Sequence, residues 1–444
     1  MAKAKSAAKK APVAKKTVAS EPRTKWFTEA RFGMFIHWGL YALPARHEWI
    51  RHNEKIRDED YQKYFDAFNP DLFNAREWAA AAKAAGMKYA VLTTKHHEGF
   101  CLFDSKFTDY KATNTPFGRD IIREYVDAFR AEGLGIGFYY SLIDWHHPHF
   151  VLDNRIGPYR EAADRAELNK GRDQKKYAKY MRDQVTELLT NYGKIDILWF
   201  DFSYPSADGN PETGKGRDNW ESEKLYALTR KLQPNIIIDN RLDLPGSGDI
   251  HTPEQYTPLD GIKDEKGELV VWEGCQTFSG SWGYHRDEST WKSPKQCVEM
   301  LINHVSRGGN LLMNVGPTGR GYFDTRALDR LGAYGNWMKY NSRSIYGCTF
   351  SPFKEAEHTR YTYNPETKRL YIHLFSYPFK DMILPDLAGK IKYAQFLHDA
   401  SELFVSTSTE VWGTNPPPAG SVRLELPTIA PDQLVPVVEL FLKD

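Results

Sequence analysis

Residues 195–201 read IDILWFD, an almost unbroken apolar run that closes on an aspartate. Such a run suits a strand buried on both faces, as in parallel sheets covered by helices. The residues before it supply the covering helix. From Asp173 to Thr190, apolar side chains recur at helical spacing (Tyr177, Tyr180, Met181, Val185, Leu188, Leu189), and Gly193 breaks the pattern just ahead of the strand. Asp201 stands where the strand ends. A carboxylate there is costly to bury unless a partner or a function keeps it; the plainer alternatives are a helix N-cap or a satisfied carboxylate at the rim.

Outward from this unit the same arrangement recurs. Asn74 can cap a helix through AREWAAAAKAA, Gly86 can end it, and the strand KYAVLTT follows. DIIREYVDAFRAE stops at Gly133 before LGIGFYYS; Ser222–Leu232 precedes NIIID; SPKQCVEMLINHVSR precedes NLLMNV; and FGMFIH opens the series. Polar or aromatic residues close nearly every strand: His37 and Trp38, His96 and His97, Tyr139, Trp199 and Asp201, Arg241. In an open doubly wound sheet such residues would gather at one switch point, whereas in a (β/α) barrel all strand ends share one rim. The expected fold class is therefore α/β, a TIM-type (β/α)8-like barrel. Only six strands are readable, and short or irregular segments in place of the other two would leave the barrel imperfect.

A last barrel helix is expected over Thr325–Tyr340. Past Tyr346 the texture changes to short alternating stretches, RYTYNPETKRLYIHLF, VRLELP and VVELFL, with NPETK as a hairpin turn. These predict a small antiparallel β-sandwich in a supporting role. The expected organisation is a disordered basic tail over 1–22, a catalytic barrel over 23–346 and a β-sandwich over 347–444. The tail is rich in Lys, Ala and Pro and lacks the large apolar side chains that would offset ordering entropy.

Composition narrows the function. The 59 Lys and Arg balance 58 Asp and Glu, so outside the tail no basic field favours nucleic acid or an anionic membrane, and a neutral or mildly polar ligand is the natural partner. The basic tail itself can touch nucleic acid or acidic surfaces. Cys101, Cys275, Cys297 and Cys348 have no metal-like spacing and are too few for a disulfide framework, so they are expected reduced and mostly buried. No apolar run reaches 18 residues, so no membrane span is expected. No secretory h-region is visible, which makes a cytoplasmic location the default; a signal already removed would make it periplasmic or secreted. Oligomeric state is not legible.

Acid/base chemistry needs a second carboxylate beside Asp201, and two follow the next strand, Glu254 in DIHTPEQY and Glu273 in VVWEGC. Glycoside hydrolysis commonly uses such a pair. His96 and His97, with His146, His147 and His149 in DWHHPH, could ligate a metal, but neighbouring strand residues point to opposite faces and no zinc-type spacing accompanies them. Imidazoles bonded to sugar hydroxyls explain the same residues without a metal. The G-x-S-x-G motif of serine hydrolases and a G-K-[ST] phosphate loop are both missing.

The motifs FGMFIHWG, KYAVLTTKHHEGFCLFDSK, GRDII, FYYSLIDW, DILWFD, WEGCQTFSGSWGY and RGGNLLMNVGP, in this order from about Trp26 to Gly347, resemble those of the α-L-fucosidases of glycoside hydrolase family 29. The resemblance implies a retaining exo-enzyme without metal or organic cofactor, acting on a fucosylated oligosaccharide or glycoconjugate. It places Asp201 as nucleophile, and His37, His96, His97, Tyr139 and Trp199 around the fucose. Glu48 and Trp49 match a pair that binds sugar hydroxyls, Arg241 an arginine near the catalytic carboxylates, and Trp282 an aromatic against the methyl face. TPEQ resembles the segment bearing the acid/base in a branch that prefers α-1,3 and α-1,4 linkages, which selects Glu254 with Glu273 in reserve. The rival readings are another retaining exo-glycosidase on a similar barrel, a carbohydrate-binding protein without catalysis, and a metal-dependent hydrolase.

Overall fold

The computed structural model describes residues 22–406 and 419–443. All but the last residue of the expected basic tail lies outside the described residues. Seven strands make one parallel, curled sheet: β1 Phe32–Ile36, β2 Tyr89–Lys95, β3 Gly135–Ser141, β4 Ile197–Asp201, β5 Ile237–Ile238, β6 Glu273–Thr277 and β7 Asn310–Val315. Their order is β5-β4-β3-β2-β1-β7-β6.

The eighth position, between β5 and β6, holds no regular strand. The stretch 250–254 crosses it through single parallel bridges, Asp239 to Ile250, His251 to Trp272 and Glu254 to Cys275. Pro253 in this stretch has no N–H to give, so the ladder cannot run through it unbroken. The seventh strand, β6, escaped the sequence reading because EGCQT is not an apolar run, although all five residues are buried.

Helices cover the sheet where their caps predict. Asn74 accepts from the N–H of Arg76 at the start of Ala75–Ala84, Asp120 from Arg123 at Ile121–Ala131, and Asp173 from Lys175 and Lys176 at Gln174–Asn191. Ser293 and Gln296 form a capping box on Pro294–Val305. Each cap contributes about 1 kcal/mol.

Strand parity sorts the side chains. Met34, Ile36, Leu198 and Phe200 face the helices, while Phe35, Tyr139, Ile197, Trp199 and Leu312 pack together inside the barrel. Because alternate residues share a face, the inward position after Trp199 is Asp201 and the one after Phe35 is His37. The barrel interior therefore ends, at the C-terminal rim, in polar side chains.

After the helix Thr325–Asn341 the chain enters an antiparallel region. A five-stranded sheet (Thr349–Phe350, Thr359–Asn364, Arg369–Leu374, Ile391–Phe396, Val437–Leu442) faces a three-stranded one (Asp381–Leu384, Val405–Ser406, Val422–Glu425). Both sheets contribute to one core that includes Leu370, Ile372, Leu384, Leu424 and Leu440. NPETK turns the hairpin, with the Asn364 side chain accepting from the N–H groups of Glu366 and Thr367. Trp337 Nε1 donates to the Val435 carbonyl at 2.8 Å and fastens the last barrel helix to this region. The four cysteines are free and buried. Among the described residues, no helix is long and apolar enough to cross a membrane.

Candidate active site

A cavity of about 250 Å³ opens at the C-terminal rim of the barrel. Asp201 reaches it from the end of β4 and is 8% exposed. Tyr139, on the neighbouring strand β3, donates its hydroxyl to Asp201 Oδ2 at 2.7 Å, and Arg241 Nη1 donates to Oδ1 at 2.8 Å. His97 Nε2 stands 3.9 Å from Oδ2.

Arg241 lies three residues past β5, with its guanidinium 4.4 Å from the Trp199 ring centre. Its Nε and Nη2 donate to the Thr252 hydroxyl and carbonyl (3.0 and 3.2 Å), and Nη2 also donates to Glu254 Oε2 at 2.9 Å. One cation thus binds both carboxylates. The carboxylates differ in wetness, since the Asp201 side chain is 11% exposed and the Glu254 side chain 43%. Each precedes a non-glycine residue in the left-handed region, Phe202 (φ 80°) and Gln255 (φ 60°). Backbone held there persists only when its surroundings over-determine it, and such positions concentrate at functional sites.

Hydrogen bonding sets the histidine tautomers. Ser141 Oγ gives its own hydrogen to the Ile143 carbonyl, so it can only accept from His97 Nδ1 at 2.7 Å. His37 Nδ1 likewise donates to Asn314 Oδ1 at 2.7 Å, with Asn314 Nδ2 occupied on the Trp282 carbonyl. In both rings Nε2 is left as an acceptor. Burial pulls His37 and His97 down to about 3 and lowers His96 as well, so all three are neutral near pH 7. His96 packs 5.7 Å from Tyr139, and its buried Nδ1 has no hydrogen-bond partner. Neutral imidazoles both give and take hydrogen bonds, the combination that hydroxyl groups require.

Trp49 packs against His97 and Phe202 (5.0 and 5.3 Å between ring centres), and Trp282 against His37 at 5.0 Å, so both line the cavity. Glu48 is placed differently. It lies behind the wall, where Oε2 accepts the N–H groups of Trp282 (3.1 Å) and Gly283 (2.8 Å) and holds the loop that carries Trp282. Burial raises its pKa. Its Oε1 is unbonded, because the nearby His47 Nδ1 already accepts the Trp49 N–H.

Glu273 does not reach this cavity. It opens β6 and so lies at the opposite, N-terminal end of the barrel, where it accepts from Tyr89 at the start of β2. His146 and His147 also point elsewhere, stacking on Tyr110 and packing against Tyr180. Among the described residues, no group of three or more His, Cys, Asp or Glu side chains converges on a metal-sized space. The residues that sequence reasoning passed over are Phe35, Phe202 and Cys275, which line the cavity, and Ser141 and Asn314, which orient the histidines. Parity from Trp199 and His37 is the signal that would have found Phe35.

The family model described as Alpha-L-fucosidase matches residues 1–343. Alpha-L-fucosidase isoenzyme 1 from Paenibacillus thiaminolyticus superposes with a TM-score of 0.88 and 47% identity over 95% of this chain and 99% of that one. A GH29 α-L-fucosidase from Bacteroides thetaiotaomicron, trapped as a covalent intermediate with 2-fluoro-fucosyl fluoride in a glutamate-to-glutamine mutant, matches with a TM-score of 0.80 and 27% identity over 98% of each chain. The plasma α-L-fucosidase of Homo sapiens is 32% identical over 72% of this chain and 68% of its own length.

Proposed function

The chain belongs to the α-L-fucosidases of glycoside hydrolase family 29, and on that premise we propose that Asp201 and Glu254 are its two catalytic carboxylates. It is a retaining glycoside hydrolase that removes terminal α-L-fucosyl groups from fucosylated substrates. The observation that carries the assignment is the Arg241 guanidinium bonded to both side chains at one cavity.

Retention proceeds by two displacements. Asp201 attacks the anomeric carbon and forms a fucosyl ester while Glu254 gives its proton to the departing oxygen. Glu254 then takes a proton from water, which cleaves the ester and restores both groups. The exposure of Glu254 suits a residue that must meet both leaving group and water, and the enclosure of Asp201 suits one that meets only C1. A spacing of roughly 5–5.5 Å between the carboxyl groups goes with this mechanism. The Nε2 lone pairs of His37 and His97 accept from ring hydroxyls, His96 supplies a further polar contact, Glu48 acts from behind by holding the loop of Trp282, and Trp49, Trp199 and Trp282 give apolar faces to the ring and its methyl group. A site that pairs with hydroxyls rejects sugars lacking them far more strongly than a hydrophobic wall would.

The same reading takes the catalytic unit as 23–346 and the β-sandwich as 347–444, with the latter in support. It needs no metal or organic cofactor, nucleic acid or membrane, and it favours α-1,3 and α-1,4 linkages. The test is Asp201→Ala with added azide. Turnover of an aryl α-L-fucoside is expected to vanish, and azide to restore part of it as the β-fucosyl azide. Ordinary activity in the variant would refute the assignment.

A further inference from the structure

Beside the enclosed cavity lies a second, more open depression of about 360 Å³, lined by Phe202, Ser203, Asn240, Arg241 and Asp243. Phe202 and Arg241 belong to both spaces. We propose that this depression is the leaving-group subsite, which holds the sugar unit to which the fucosyl residue is attached, and that Asp243 is its specificity-determining acceptor for a neutral, hydroxyl-rich pyranose. The proposal rests on the assignment of Asp201 and Glu254.

Position is the first argument. The cavity is on the scale of one monosaccharide, so the rest of a glycan must lie outside it on the side where the bond breaks. Arg241 touches both carboxylates and forms the partition, which puts the depression next to the departing oxygen. The left-handed turn at Phe202 leads the chain off β4 and sets its ring in that partition, against Trp49 and His97 on the cavity side. Its place in both linings makes it a shared apolar wall for two sugars.

Hydrogen-bonding capacity is the second argument. Arg241 is committed to Asp201, Glu254 and Thr252. Ser203 gives its hydrogen to the Arg241 carbonyl at 2.8 Å and keeps its lone pairs. Asp243 accepts the Arg217 N–H on Oδ2 at 3.0 Å, and its Oδ1 carries no bond among the described residues. Asn240 adds an amide whose Nδ2 reaches His251 Nδ1 only at 3.4 Å. The depression therefore offers acceptors at Asp243 and Ser203 beside an amide donor, a combination that fits hydroxyl groups, while the Asp243 charge disfavours a carboxylate-bearing sugar.

The experiment compares Asp243→Ala and Asp243→Asn with the unaltered enzyme on 4-nitrophenyl α-L-fucoside and on 3-fucosyllactose. Asparagine keeps an acceptor for the Arg217 N–H and separates charge from loop structure. In the alanine variant kcat/KM for 3-fucosyllactose is expected to fall about tenfold, and inhibition of the nitrophenyl reaction by lactose to weaken similarly, while nitrophenyl turnover and inhibition by fucose stay within twofold. A smaller loss on 3-fucosyllactose is expected for asparagine. Equal losses on both substrates, or none on either, overturn the subsite. Failure of the underlying reading looks different: Asp201→Ala would keep activity on both substrates, and the subsite would fall with it.

Discussion

Two carboxylates occupy opposite ends of the same barrel, and the contrast between them shows what separates a site from a buried acid. Glu273, at the floor, has no cation within bonding reach among the described residues; Tyr89 donates to it, and burial pushes it up to about 7. Asp201, at the rim, faces a cavity and accepts from both Tyr139 and a guanidinium. Both are buried and both were visible in the sequence as candidates. The difference lies in the cation and the open space. Burial alone disfavours the charged form of a carboxyl group, and at Glu273 it outweighs the bond from Tyr89.

The largest expected effect tests the rim against the floor directly. Glu254→Gln should lower kcat on a fucosylated glycan by about 10²–10⁴-fold, the usual range for losing a general acid/base, with a smaller loss on an aryl fucoside whose leaving group needs little protonation. Glu273→Gln should leave kcat within a few-fold. Steady-state rates on both substrates check the pair, and a reversed ranking would move the acid/base to the floor.

Arg241→Ala comes next. It leaves two neighbouring carboxylates without their shared cation, so kcat/KM should drop by about 10²–10³-fold. Steady-state rates on an aryl fucoside check this, and a loss smaller than about tenfold would mean that the cation does not govern the pair.

The sequence carried much of the rim and little of the floor. Trp199 and Asp201 were legible because an apolar run with its own helix fixes both the strand and its parity, and the order of motifs placed the histidines, Tyr139 and Arg241. β6 was not legible, since a strand whose inward face is polar breaks the apolar pattern. The irregular stretch 250–254 was even less so, because its bridges come from tertiary pairing across a proline. Glu48 was identified as a sugar contact, yet its backbone bonds to Trp282 and Gly283 depend on a loop more than two hundred residues away.

Smaller effects concern stability. Glu273 titrates near 4.5 when unfolded and about 7 when folded, so between these values the native state holds a proton that the unfolded chain has lost. Its contribution is present below pH 4.5 and is lost as the pH rises through 7. Glu273→Gln should therefore gain in Tm relative to the unaltered enzyme from pH 4.5 to 8. His37 and His97 act in the opposite sense: neutral when folded down to about pH 3, they charge in the unfolded chain below about 6.5, so acidification across that window destabilises the fold. Thermal melts of His37→Asn against the unaltered enzyme from pH 7 to 4 should show a shallower decline. Parallel curves would assign the acid sensitivity to other groups.

The central claim, that Asp201 bonds to C1 of the sugar, is tested most directly by trapping the enzyme with 2-fluoro-fucosyl fluoride and mapping the adduct by peptide mass spectrometry. The account predicts one fucosyl ester, on Asp201 in the peptide containing DILWFD. An ester on Glu254, Glu273 or any other side chain would contradict it.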